Sequence, residues 1–171
     1  MAGLFSRGSS VPDPVRRAAG GKVLAWVQAE DGTWLAGTRD AWVQVPPEGE
    51  PLLLPWEQVH RADWDTEERS LTVERVEEWG SPTARWTHRL SEPGSLLVLL
   101  RERVTASIVL QRRVDVRRKK GFTVIARRPP GGEGSVTWAH QFDPGVDPAD
   151  PAVAALAEAA LVEAQESLGL R

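Results

Sequence analysis

The densest chemistry in the sequence is cationic. Arg112-Arg113-Val114-Asp115-Val116-Arg117-Arg118-Lys119-Lys120 places six positive charges in nine residues. Guanidinium groups bridge carboxylate and phosphate oxygens bidentately, and ammonium groups add point charge. Arg112, Arg113, Arg117, Arg118, Lys119 and Lys120 are therefore candidates for holding an anionic partner. Two other uses compete. Charges along an edge strand block edge-to-edge aggregation. The same cations can also pair with the chain's own acids, either Glu77 and Glu78 or the acidic tail. Charge is segregated along the chain: residues 1–100 carry net −5, residues 101–128 net +8 and residues 129–171 net −6. The formal total of −3 hides this dipolar arrangement.

Other reactive residue types are scattered. His60, His88 and His140 fall in three separate predicted strands, and none has a metal-ligand spacing. No metal is expected, and His88 and His140 read as hydrogen-bonded core histidines. There is no cysteine, hence no disulfide, zinc–thiolate site or thiol nucleophile. Asp63 with Asp65, and Glu77 with Glu78, are the nearest to an acid/base pair, but they read as solvated turn residues. Gly20-Gly21 and Gly131-Gly132-Glu133-Gly134 lack the lysine and the strand–turn–helix setting of a phosphate loop. No cofactor and no enzymatic activity are expected. Trp79, in Glu78-Trp79-Gly80-Ser81-Pro82, is a candidate anchor for a protein partner, because a loop tryptophan left exposed supplies a large rigid contact.

The elements that must carry these residues follow from periodicity. Met1 to Gly21, rich in Gly, Ser and Pro, reads as a flexible arm with a helical turn at Val15 to Ala19. From Lys22 the pattern alternates in twos. Val23 to Gln28 is a strand, and Asp31-Gly32 is a hairpin turn to Trp34–Thr38. Ala41 to Val45 is a third strand. Leu52 to Trp56, Gln58 to Asp65, Leu71 to Val76 and Thr83 to Leu90 follow. At Ser91 the period changes to three and four. Ser91 as cap and Pro93 in the first turn predict a helix with Leu96, Leu97, Leu99, Leu100, Arg103, Val104 and Ser107 on its inner face. Ile108 to Arg118 then reads as a strand, Lys119-Lys120-Gly121 as its turn and Phe122 to Arg128 as the return. Val136 to Phe142 adds a strand. Asp150 and Pro151 start a final helix with Val153, Leu156, Ala160, Leu161, Ala164 and Leu168 inward.

Six or seven antiparallel strands followed by one helix is a specific order. Val23-Leu24-Ala25, Gly37-Thr38-Arg39-Asp40-Ala41-Trp42 and Leu54-Pro55-Trp56-Glu57-Gln58-Val59, followed by Trp64 and Leu71-Thr72-Val73, resemble the bacterial pleckstrin-homology-like domains. The whole chain also resembles a group of actinobacterial proteins. The resemblance covers about half of the chain and implies an α+β fold: a bent antiparallel barrel over residues 22–107 with its capping helix. Residues 108–171 form an α+β extension packed on it, and residues 1–21 the arm. Its motifs mark strand geometry and transfer no active site. Lipid-phosphate recognition by this fold needs basic residues in the first hairpin loop, and here that loop, Ala29-Glu30-Asp31-Gly32-Thr33, is acidic.

Composition agrees with a folded, water-exposed protein. The 171 residues are 41% hydrophobic and 26% charged, and at ~150 residues a fold hides roughly 70% of its unfolded surface. No apolar run is long enough to span a membrane, and Met1 to Ser10 holds no secretory stretch, so the expectation is cytoplasmic. Arg supplies 18 of the 21 cations, which looks like the codon bias of a GC-rich bacterial genome. Of the eight Trp, Trp26, Trp34, Trp42, Trp56, Trp64 and Trp86 are assigned to strands as core. The resulting expectation is a non-enzymatic binding or adaptor protein that acts through protein–protein contacts. The alternative is a binder of nucleic acid or another anionic polymer, in which the basic ribbon lies along a phosphate backbone. Only Phe122 and Trp138 stand near enough to stack on bases.

Overall fold

A computed structural model describes residues 10–77 and 83–170. The chain folds as α+β, with three antiparallel sheets and three helices among the described residues. Helix α1 (Asp13–Ala18) precedes a four-stranded meander, β1 (Val23–Gln28), β2 (Trp34–Thr38), β3 (Ala41–Val45) and β4 (Leu52–Pro55). The predicted Asp31-Gly32 turn is present. Gly32 has a φ of +87°, and the Asp31 carboxylate accepts the Thr33 N–H at 2.9 Å. The next turn is capped by Thr38, whose hydroxyl accepts the Ala41 N–H at 3.0 Å.

Alternation in β2 and β3 sends side chains to two covered faces. Leu35 and Trp42 enter one core with Ala25, Leu54 and Trp56. Ala36 and Val43 enter a second one beneath α1, with Val15 and Ala19. The stretch read as an arm thus includes a short helix whose Val15 is fully buried.

A second meander follows: β5 (Val59–Asp65), β6 (Ser70–Arg75) and β7 (Arg85–Arg89). Val59, Leu71 and Val73 join the first core, and Leu96, Leu99 and Leu100 of α2 (Leu96–Ser107) close over it. Both meanders and the predicted helix therefore share one interior. The expected closed barrel is not formed, because no ladder links the two sheets among the described residues. Pro55 supplies no N–H to extend β4. The chain instead turns through a 3₁₀ segment, Trp56–Gln58, before β5 begins. Trp56, expected on a strand, is the buried head of that turn, its indole donating to Thr38 O at 3.1 Å. The sheets touch at Glu30 N–H to Arg89 O, 2.9 Å.

Helix α2 starts later than its predicted cap at Ser91. Gly94 has a φ of +53°, a left-handed conformation that interrupts helical register, so the helix begins only at Leu96.

The third sheet has the order β10-β9-β8 and is formed by β8 (Ile108–Arg117), β9 (Lys120–Arg127) and β10 (Thr137–Phe142). Helix α3 (Pro151–Ser167) lies on one face, with Ala157, Ala160 and Ala164 against Phe122 and Val124. Asp150 caps it as predicted, accepting the Ala152 N–H at 2.8 Å. The predicted stripe is rotated at one position: Ala157 is buried, whereas Leu156 stays 43% exposed. Alanines admit the helix close to the sheet, and the larger Leu156 falls outside that contact.

The sheet is fastened to the rest of the molecule by Arg127, only 3% exposed. Its guanidinium donates to Val104 O (3.0 Å) and Ser107 Oγ (2.9 Å) at the end of α2, and to His60 O (2.9 Å) on β5. Among the described residues no carboxylate forms an ion pair with it. The carbonyl end of α2 supplies the negative pole instead, and desolvation pulls the Arg127 pKa down to about 10.

Candidate anionic-partner interface

The basic run forms the β8–β9 hairpin. Strand β8 ends at Arg117, β9 begins at Lys120, and Arg118 and Lys119 make a two-residue turn. Arg118 has a φ of 51°, as primed two-residue turns demand at their first central position. An arginine there costs roughly 1 kcal/mol relative to glycine. The turn is therefore not at Lys119-Lys120-Gly121 as the sequence suggested. Gly121 sits inside β9 opposite Asp115, beside a bulge between Asp115 and Arg117. A Cβ at Gly121 would stand 1.9 Å from the Val114 carbonyl oxygen. Close approach, and not turn geometry, requires glycine at this position.

Pairing along the ladder sorts the six cations by face. Leu110, Arg112 and Val114 sit opposite Ala126, Val124 and Phe122, and those three oppose Trp138, His140 and Phe142. This is the face that α3 covers, and Arg112 forms an ion pair with Glu163 of that helix. Arg113 points to the other face and meets Asp143, which follows β10. Its Nη1 donates to Oδ1 at 2.9 Å and its Nη2 to Oδ2. The same guanidinium reaches Asp115 (3.2 Å) and Lys119 O (3.1 Å). Asp143 Oδ2 also accepts the Gly121 N–H at 2.9 Å. Lys120 Nζ donates to Pro144 O at 3.1 Å. The Arg113 hydrogen bonds, then the Gly121 amide, hold the Asp143 carboxyl down to about 2, and Asp143 raises Arg113 in return.

Three of the six cations are therefore engaged at home, one by the C-terminal helix and two by the Asp143-Pro144 segment. Arg117, Arg118 and Lys119 are exposed and have no acidic partner among the described residues. They sit together at the tip. Trp79, the other candidate anchor, lies outside the described residues, as does Glu78.

The remaining candidates are accounted for locally. Asp63 pairs with Arg61 at 2.5 Å and Glu77 with Arg75 at 2.8 Å. Asp65 accepts the N–H groups of Glu67 and Glu68, both at 2.9 Å, as a turn cap. His88 meets Asp31 at 3.3 Å. His60 is held below its ordinary pKa by burial and by the Arg127 charge. His140 lies under α3 with Nε2 3.4 Å from Ala157 O, and burial lowers its pKa. The three rings do not converge, and no cluster of potential metal ligands occurs among the described residues. No described helix is long and apolar enough to cross a membrane.

Sequence reasoning missed two residues here. Neither Asp143 nor Arg127 stands among the sequence candidates. No signal set Arg127 apart, because it ends the apolar run Val124-Ile125-Ala126 beside a second cation, Arg128. Scanned against family models and against curated proteins, the sequence matches none.

Proposed function

We propose that this chain is a non-enzymatic binding or adaptor protein that engages an acidic segment of a protein partner through the tip of the β8–β9 hairpin. Its first half is read as pleckstrin-homology-like. That reading is supported by a four-stranded and a three-stranded meander, followed by a helix, around one core. The observation that carries the function is the division of the basic run: Arg112, Arg113 and Lys120 are satisfied internally, while Arg117, Arg118 and Lys119 stand exposed at the hairpin tip with no acidic partner among the described residues. Positive side chains crowded at a strained tip, with the nearby Asp115 turned to Arg113, repel one another, and a carboxylate-rich partner relieves that repulsion.

The split also weighs against nucleic acid. Each phosphate neutralised adds about 0.9 to the salt slope, so three cations give about 3 where all six would give about 5. The decisive experiment titrates the full chain with a labelled octaglutamate peptide and, separately, with a duplex DNA, over a range of salt. Binding of the peptide, abolished by Arg117→Gln with Arg118→Asn and Lys119→Gln, is expected. Asn tolerates the positive φ, so this triple variant keeps the turn. Preference for the duplex with a slope near 5 would overturn the reading in favour of a nucleic-acid ribbon.

A further inference from the structure

Arg113 and the Gly121 amide form a cradle shaped for a carboxylate: two guanidinium donors and a backbone N–H on one face of the hairpin, with Lys120 alongside. The cradle is filled by the chain's own Asp143. It is not buried, the side chains of Arg113 and Asp143 being 42% and 30% exposed. It is also continuous with the tip, because Arg113 Nη2 bonds Lys119 O at 3.1 Å. Asp143 is anchored by its backbone, whose N–H donates to Gly121 O at 3.0 Å. Its carboxylate can therefore swing away without unzipping β9 from β10. A partner carboxylate would accept the same Arg113 and Gly121 hydrogen bonds that Asp143 gives up, so the exchange is like for like.

We propose that Asp143 is a built-in competitor: an Asp or Glu side chain of the partner takes its place on Arg113 and the Gly121 amide, extending the contact from the tip along the hairpin. This rests on the reading that the hairpin receives an acidic peptide. It assigns that peptide a second, specific pocket and makes Asp143 the group that sets affinity. Glu163, which holds Arg112 on the opposite face, plays no part in it.

The test uses the full chain and the labelled octaglutamate peptide. Asp143→Asn keeps an oxygen for the Gly121 N–H but gives up the ion pair with Arg113. It should tighten binding roughly tenfold, within the ordinary range of site–site coupling. Adding Arg113→Gln should erase that gain. In the wild-type protein at neutral pH, where the glutamates of the peptide stay ionised, the carbon-13 NMR shift of the Asp143 carboxyl should move away from its Arg113-bound position as peptide is added. This readout stands even where Asp143→Asn perturbs folding. If the wild type binds the peptide but Asp143→Asn binds no tighter and the Asp143 carboxyl shift does not move, the competitor is overturned while the tip reading survives. If neither protein binds the peptide, the reading and the competitor fall together.

Discussion

At the scale of single residues, backbone conformation separates two neighbours that composition treats alike. Arg118 holds a positive φ in the turn, and Gly121 holds a close approach in the strand. Arg118→Gly should therefore raise stability by about 1 kcal/mol in urea unfolding, while peptide affinity falls with the lost charge. Gly121→Ala should do the opposite to stability. The new methyl meets a backbone carbonyl that cannot rotate away, and a loss of about 3 kcal/mol is expected from the same measurement. The basic run itself was legible from the sequence, since charge density needs no coordinates. Its division into engaged and free members was not. That depends on which face each arginine takes and on where Asp143 lies, and the bulge between Asp115 and Arg117 changes the alternation just where it matters.

At the scale of elements, strands with a clean period of two and the capped helix α3 were readable because one face of each is wet. The doubly covered β2 and β3 were readable as well, from the turn residues that bound them, whereas the interruptions at Gly94 and Pro55 were not. His140 illustrates what coverage does. It lies in the same row as Val124 and Arg112, beneath α3, which brings Glu163 to Arg112 and the Ala157 carbonyl to His140. Burial lowers its pKa in the folded protein, as it does for His60. The unfolded chain then takes up protons first as pH falls below about 6.5, so stability is complete above that value and declines with acidification toward pH 5. Urea midpoints measured from pH 8 to pH 5 should show this decline, and His140→Gln should flatten part of it. A second decline is expected at lower pH. Asp143 is depressed to about 2, so its contribution is present above about 4 and is lost as pH falls through 2. Asp143→Asn should remove that lower step and leave the upper one.

At the scale of the whole molecule, the +8 segment meets the −6 tail through Arg112–Glu163 and Arg113–Asp143, which answers in part the charge segregation seen in the sequence. What unites the halves, however, is Arg127. Replacing it with Met removes a buried charge but takes the guanidinium donors away from the His60 and Val104 carbonyls and from Ser107 Oγ, of which Ser107 Oγ and Val104 O keep their own 2.6 Å hydrogen bond. Charge-assisted bonds of about 1.5–3 kcal/mol each outweigh the relief of desolvation. A loss of about 3 kcal/mol is expected, together with separation of the single unfolding transition into two when Trp fluorescence and far-UV circular dichroism are compared. Coincident transitions in Arg127→Met would show that other contacts suffice.

Among the described residues each strand pairs only with its neighbours in sequence, whereas the hydrogen bond from Arg127 to His60 spans 67 residues. Local pairing implies low contact order and rapid formation of each meander. The long closure comes last, after loop entropy has been overcome. In kinetic terms, Arg127→Met should leave the refolding rate nearly unchanged and accelerate unfolding, which makes this one side chain a determinant of the native state's lifetime.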